Sequence, residues 1–372
     1  MPQNVCETYD VDPDGDLLII LPVLDHPFAP WDSEKPKDLS EVDPAVGSAS
    51  SSDEGNATPP HDTEEALDDS FATLHCSDHA EIESEGGHED VPDVRFKVSS
   101  KHLALASPRY RKMAAGPWLG ATIIHPDGYH HWVLEGFDKG ALKILLDIIH
   151  GKTRKVPRSV DLEMLAKIAV LVDDLECHEE VEVFSNMWIR TLKKSLPKEY
   201  NRDLILWLLV SFVFDKPPLF KSITQTAILS SDNPIRTLNL PIREIIVAKI
   251  DNRRQELIGQ LLDNLHSLFA RLIDGGIGCR YSCNSRLLGA LVQQMYPLRL
   301  ILPRPPKPFT GFSFNETAQA VRELRSEDPD PHYVICRCSL GQFLNSDIDV
   351  LEKTAKGLDL DGDMQAYRVT HA

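Results

Sequence analysis

The sequence has little that would direct the chain into a membrane or out of the cell. Its start, MPQNVCETYD, has neither the basic nor the apolar stretch of a secretory signal peptide. The most apolar run, Leu204–Phe214, has eleven residues, whereas a membrane-spanning helix needs about 20. We therefore interpret this run as a buried core helix, and we expect an intracellular protein, nuclear or cytoplasmic, without membrane contact.

The chain also has no excess of basic residues. Outside residues 25–93 the chain has 37 acidic and 37 basic residues. No basic cluster resembles a phosphate-binding surface or a strong nuclear import signal, so we expect no direct binding of nucleic acid. Seven cysteines in a chain without a secretory signal indicate reduced thiols in an intracellular compartment.

The common catalytic signatures are missing as well. The sequence contains no G-x-S-x-G, no glycine-rich phosphate loop and no H-E-x-x-H. The run Gly275-Gly276-Ile277-Gly278 follows a helical pattern rather than a strand, which indicates a helix stop. We therefore predict a protein that is not an enzyme and has no cofactor.

Acidic residues, by contrast, are abundant in one segment. Residues 25–93 contain twenty Asp or Glu and two Lys, which accounts for the whole formal net charge of −18. A segment so rich in charge, Ser, Pro and Gly cannot bury enough apolar surface to offset its ordering entropy, so we predict a disordered acidic insert over 25–93. Leu67, Phe71 and Leu74 among the acids leave open a transcriptional regulator that uses this insert as an activation segment.

Patterns typical of strands border this insert. Asp16–Val23 is a short apolar run, and Val94, Phe96 and Val98 alternate as on a strand. Because the entropy of loop closure grows only logarithmically with length, we expect the two runs to pair as a hairpin across the insert.

Helical patterns dominate the rest of the chain. Apolar residues recur at three- and four-residue steps in Asp138–His150, Leu162–Leu175, Val181–Leu192, Asp203–Phe214, Leu219–Ser231 and Ile242–Ile273. The predicted organisation is a first strand region over 1–24, the insert over 25–93, a domain body over 94–195 and an α-helical C-terminal region over 196–372.

Several ordered motifs together suggest a family. Asp12–Asp16 (DPDGD) precedes the first strand, and Phe96–Leu103 (FKVSSKHL) is followed by Ala106–Tyr110 (ASPRY). Leu145–Gly151 then precedes Val156-Pro157. In this order, over roughly 12–24 and 94–195, the chain resembles the fungal form of the BTB/POZ domain. The resemblance implies a mixed α/β fold, mostly helical, with a small sheet and a helical cluster.

The resemblance also implies a function without catalysis. BTB domains self-associate or bind other proteins as adaptors, so we expect protein partners and a homodimer. After Met113 the chain reads Trp118-Leu119-Gly120 and lacks the acid of the hydrophobic-x-Glu motif of cullin-binding members, which argues against recruitment of a cullin ligase.

An enzyme with an unrecognised C-terminal site remains an alternative. We expect the first strand to offer an exposed edge to a second chain, and the interaction candidates are Asp16, Leu18, Ile20, Lys101, His102 and Trp118.

One group of residues suggests a metal site. Cys279, Cys283, His332, Cys336 and Cys338 offer thiolate and imidazole ligands at short spacings from two segments, a donor set that suits tetrahedral zinc. The spacings are looser or tighter than the common C-x-x-C pair. The alternative is that these cysteines are small residues of the core.

Overall fold

A computed structural model describes residues 7–22, 26–31, 93–116, 123–301, 303–326 and 338–364. These residues form four strands and eleven α-helices. The mixed, mostly helical α/β class predicted from the sequence is confirmed. Within the described parts of the chain, no helix combines the length and the apolar character needed to cross a bilayer.

The sheet has four strands, β1 (Glu7–Asp10), β2 (Leu17–Pro22), β3 (Asp93–Val98) and β4 (His130–Val133), in the order β1-β3-β2-β4. β2 and β3 run antiparallel, with Leu17 opposite Val98 and Pro22 opposite Asp93. The other two pairings, β1 with β3 and β2 with β4, are parallel. The predicted hairpin between the runs on either side of the acidic segment is therefore confirmed.

Five helices pack around this sheet: α1 (Ser100–Ala106), α2 (Pro108–Ala115), α3 (Lys139–Ile149), α4 (Leu162–Leu175) and α5 (His178–Leu192). Side-chain caps set several of their starts, because the first amides of a helix have no partner within it. Asp138 accepts from the amides of Gly140 and Ala141 at the start of α3. Ser107 accepts from the Tyr110 amide at the start of α2, and its buried hydroxyl donates to the Leu175 carbonyl.

The C-terminal half contains α6 (Arg202–Val213), α7 (Pro217–Ser230), α8 (Glu244–Ile273), α9 (Tyr281–Met295), α10 (Phe314–Arg322) and α11 (Leu340–Thr354). The apolar run predicted to be a core helix forms α6, nearly all of which is buried. α8 carries a stripe of buried residues from Ile246 to Leu272, spaced as the sequence predicts. The ordered halves of the chain belong to one compact unit.

The first residues of the predicted acidic insert make contacts with the helical part of the chain. Residues 26–31 are folded, because the Arg202 guanidinium donates to the carbonyls of Phe28 and Ala29 at 2.8 Å. The Trp31 ring packs edge-on against Tyr200, with ring centroids 5.5 Å apart. At the other end Asp93 already belongs to β3. Residues 32–92, where disorder is predicted, lie outside the described residues.

Candidate functional site

β2 lies in the interior of the sheet, which corrects the prediction that this first strand is an exposed edge. β3 pairs with one of its sides and β4 with the other. Leu18 is buried and Ile20 is half-buried. The Asp16 carboxylate accepts from the Ser100 amide at 2.8 Å and from the Ser100 hydroxyl at 2.6 Å, so it holds the start of α1. None of these three interaction candidates lies on an open strand edge.

The other interaction candidates have different positions. Lys101 and His102 are exposed on α1. The His102 ring lies against the His150 ring, with centroids 5.0 Å apart. Trp118 lies outside the described residues, so its role at an interface stays a prediction.

The open edges of the sheet are β1 and β4. Within the residues that the structure describes, each of these strands has a neighbour on one side only. β1 is acidic, since Glu7 and Asp10 are both exposed. The Tyr9 hydroxyl donates to Glu7, and this hydrogen bond, with help from Lys139, lowers the pKa of the Glu7 carboxyl. This edge therefore carries negative charge at neutral pH.

The β4 edge is more apolar. Trp132 is buried, its ring centroid 5.0 Å from that of Tyr110, and anchors the strand to α2. Val133 points outward and is 51% exposed. The His130 Nδ1–H donates to the Ile123 carbonyl at 3.1 Å, which places the exposed Ile123 and Ile124 beside the strand. We use the term β4 edge surface for the set Ile123, Ile124, His130, His131 and Val133.

A turn stabilised by side-chain contacts precedes β4. The His131 Nε2–H donates to the Asp127 carboxylate at 2.7 Å, and the His125 ring stacks on His131 with centroids 3.8 Å apart. The hydrogen bond from His131 lowers the pKa of the Asp127 carboxyl. Asp127 also accepts from the Tyr129 amide at 3.2 Å. These contacts fix the turn and therefore the position of the β4 edge surface.

Among the described residues, two clusters each place three ligand atoms close together. In the first, one atom each from Asp12, His102 and His150 lies within 4.8 Å of the others. His150 uses both ring nitrogens, however: Nδ1–H donates to the Leu146 carbonyl at 2.9 Å and Nε2 accepts from the Ser99 amide at 3.0 Å. Burial lowers the pKa of His150, which favours this neutral form. Because no lone pair of His150 remains for a metal, this cluster is a structural contact.

The second cluster comprises the sulfurs of Cys279, Cys283 and Cys338, which also lie within 4.8 Å of one another. The structure thus brings together three of the five residues that the sequence suggested as zinc ligands. Cys283 is buried, Cys338 is half-buried and Cys279 is exposed. The remaining two candidates, His332 and Cys336, lie outside the described residues.

Two clefts lie in the C-terminal half. One, of about 560 Å³, contains two ion pairs: Lys221 with Asp359 at 3.4 Å and Arg253 with Asp363 at 2.7 Å. These pairs join the segment after α11 to α7 and α8, so the charges of this cleft neutralise one another. The other cleft, of about 620 Å³, is lined by prolines of 297–308 together with Tyr296, Phe309 and Phe312.

No family model, no curated protein and no solved structure matches the chain. A function for this protein is therefore argued from its own residues.

Sequence reasoning missed that β4 pairs with β2 and forms an edge of the sheet, and it missed the hydrogen bonds of His150. The turn Pro126-Asp127-Gly128 is a readable signal for a strand at 130–133, but the HHWV strand itself is short and half polar. The role of His150 depends on Ser99, which is 51 residues away in the chain. Nothing in the sequence shows that Asp127 pairs with His131 or that His125 stacks on it.

Proposed function

We propose that this protein is a non-catalytic protein-interaction protein that self-associates through the β4 edge surface. The observation that carries the proposal is that β4, in the described part of the sheet, has an open side beside exposed Ile123, Ile124 and Val133. An open strand edge offers amides and carbonyls that a second strand can pair with. The resemblance to the BTB/POZ family supports self-association and, on the assembled dimer, binding of a further protein as an adaptor.

The charges of the two edges favour β4 over β1 as the contact between copies. If two β1 strands paired antiparallel about a twofold axis, Glu7 of one copy would face Asp10 of the other, and like charges directly opposite are destabilising. In the same arrangement of two β4 strands, His130 would face Val133 and His131 would face Trp132. That register brings no carboxylates together, so β4 is the more favourable strand for pairing between identical chains.

Four strand residues alone make a small contact. Stable protein interfaces bury roughly 1,200–2,000 Å² in total, so exposed apolar side chains next to the strand must contribute. Ile123 and Ile124 are 45% and 66% exposed. Apolar burial contributes about 25 cal/mol per Å² removed from water. The aliphatic side chains beside the strand therefore provide affinity, and the paired backbone provides register.

The paired charges of the C-terminal cleft support a role without catalysis. Lys221 and Arg253 are engaged by Asp359 and Asp363, and Arg253 also donates to the Gly357 carbonyl at 2.9 Å. These contacts attach the segment after α11 to the helices. The cleft residues thus have a structural use that needs no substrate.

The proposal is tested by light scattering on the full chain at micromolar concentration. We expect the wild-type protein to have twice the chain mass of 41.7 kDa. Val133→Lys, which puts a charge on the pairing edge, should shift the mass towards the monomer. The matched control is Val183→Lys on α5, because Val183 is 75% exposed away from the sheet. This control should remain dimeric.

Two results contradict the proposal. A monomeric mass for the wild-type chain at micromolar concentration shows that the copies do not associate. Equal dimeric masses for Val133→Lys and Val183→Lys show that the copies associate elsewhere. Circular dichroism of both variants shows whether each has kept the wild-type fold, and Thr8→Lys on β1 provides a second control at the opposite edge.

A further inference from the structure

We propose that Cys279, Cys283 and Cys338 bind a zinc ion as thiolates. Their sulfurs lie within 4.8 Å of one another. In a tetrahedral site with zinc–sulfur distances near 2.3 Å, neighbouring sulfurs are about 3.8 Å apart. The three side chains are therefore close to the spacing that the metal requires. The fourth coordination position is open to water or to a further ligand.

Two helix N-termini meet at this cluster. Cys283 is the third residue of α9, and Cys338 directly precedes Ser339, the cap of α11. Helix N-termini carry a partial positive charge of about half an elementary charge, which attracts anionic groups. The thiolate is the form of cysteine that binds metals. The fold thus places the starts of two helices beside the three sulfurs.

The backbone around the cysteines is held by contacts that do not involve the sulfurs. A Cβ at Gly278 would lie 2.6 Å from the Asn284 backbone nitrogen, so the residue before Cys279 has to be glycine. The Asn284 amide group donates to the Leu272 carbonyl at 2.5 Å, which ties the start of α9 to the end of α8. Arg286 donates to the Cys338 carbonyl at 3.2 Å. The cluster is therefore positioned before any metal binds.

The donor atoms select the metal class. Soft thiolate ligands favour zinc, copper(I) and iron–sulfur clusters over magnesium or calcium. Zinc can be bound by three protein ligands, with water or a further ligand in the fourth position of its tetrahedron. The bound ion would join the start of α9 to the start of α11, segments that lie more than fifty residues apart. Its expected role is to stabilise the C-terminal helices, and this inference is independent of self-association through β4.

The test uses the full chain, made metal-free by dialysis against a chelator under reducing conditions. Titration with cobalt(II), a spectroscopic substitute for zinc, should give a thiolate-to-cobalt absorption band that saturates at one cobalt per chain. Zinc should displace the cobalt and remove the band. Elemental analysis of protein purified without chelator should find one zinc per chain.

Single cysteine substitutions test which residues bind the metal. Cys279→Ser, Cys283→Ser and Cys338→Ser should each lower the cobalt band by about one third or more, because each removes one of three sulfur ligands. The matched control is Cys177→Ala: Cys177 is fully buried at the start of α5, far in sequence from the cluster, and should leave the band unchanged.

Thiol mapping on the wild-type chain keeps the test decisive if a variant does not fold. Bound zinc should protect the peptides of 279, 283 and 338 from alkylation, and the chelator should remove that protection. The proposal is overturned if no thiolate band appears, if the three peptides react equally with and without zinc, or if mass analysis of the native protein shows a disulfide between cluster cysteines. Copper or iron in place of zinc would also overturn it.

Discussion

The two halves of the molecule hold distant segments together with different polar side chains. In the N-terminal half, neutral His150 joins the end of α3 to the start of α1 through one donated and one accepted hydrogen bond. In the C-terminal half, the fully buried cation of Arg254 donates to the carbonyls of Asp232, Pro308 and Phe312. It also pairs with Asp251 at 2.8 Å.

This difference determines how much free energy the burial of each side chain costs and which change of pH can break its contacts. A buried charge is expensive to desolvate, so Arg254 needs its full set of acceptors. A neutral imidazole is cheaper to bury, but it can gain a proton, and then it loses the acceptor that Ser99 uses. Acid can therefore break the N-terminal contact, whereas no accessible pH removes the charge of an arginine.

The largest expected effect comes from Arg254→Met. The change leaves the carbonyls around 308–312 without their side-chain donor and removes the cation from Asp251, which keeps the hydrogen bond from Gln255. We therefore expect a loss of about 3–5 kcal/mol in the free energy of unfolding. Urea denaturation measures this loss. The neighbouring Arg253→Met is the control, since that half-buried side chain should cost about 1 kcal/mol. Similar losses for the two variants would contradict a special role for Arg254.

A smaller effect is expected for His150→Leu. The Ser99 amide loses its acceptor and the Leu146 carbonyl loses its side-chain donor, which should cost about 1–3 kcal/mol. His102→Leu is the control, because that exposed neighbour should change stability by about 0.5 kcal/mol or less. Denaturation of both variants at neutral pH checks the prediction. It is wrong if the control costs as much as His150→Leu.

The smallest expected effect is a change in the pH dependence of stability, which we expect for the His150 variant and not for the Arg254 variant. Burial lowers the pKa of His150 below its value of about 6.5 in the unfolded chain. Between the two values the unfolded chain binds more protons, so the contribution of His150 is complete above about pH 6.5 and decreases as the pH falls. Stability measured from pH 7.5 downwards should therefore fall less steeply in His150→Leu than in the wild type. Arg254→Met should keep the wild-type slope.

The sequence predicted features that depend on local pattern. An apolar run before the acidic segment and alternating apolar residues after it predicted the β2–β3 pairing, and the run Leu204–Phe214 predicted a buried helix. The converging cysteines were also suggested by donor type and spacing, although their meeting depends on α9 and α11.

Other features depend on the path of the chain and carry no local signal. Trp31, in an acidic stretch, becomes ordered because Tyr200 and Arg202 lie opposite residues 28–31. β2 was expected at an edge, but β4, which begins more than one hundred residues later in the chain, pairs with its second side. The acceptors of Arg254 come from Asp232, earlier in the chain, and from a loop about fifty residues further along it.

The position of β2 has a consequence for synthesis of the chain on the ribosome. Its apolar residues emerge early, but the strands that flank it end at residues 98 and 133. At roughly 5–20 residues per second, the nascent chain carries an uncovered LLIIL segment for about 5–20 seconds before both neighbours have been made. During that interval the segment is a natural substrate for chaperones that bind nascent polypeptides.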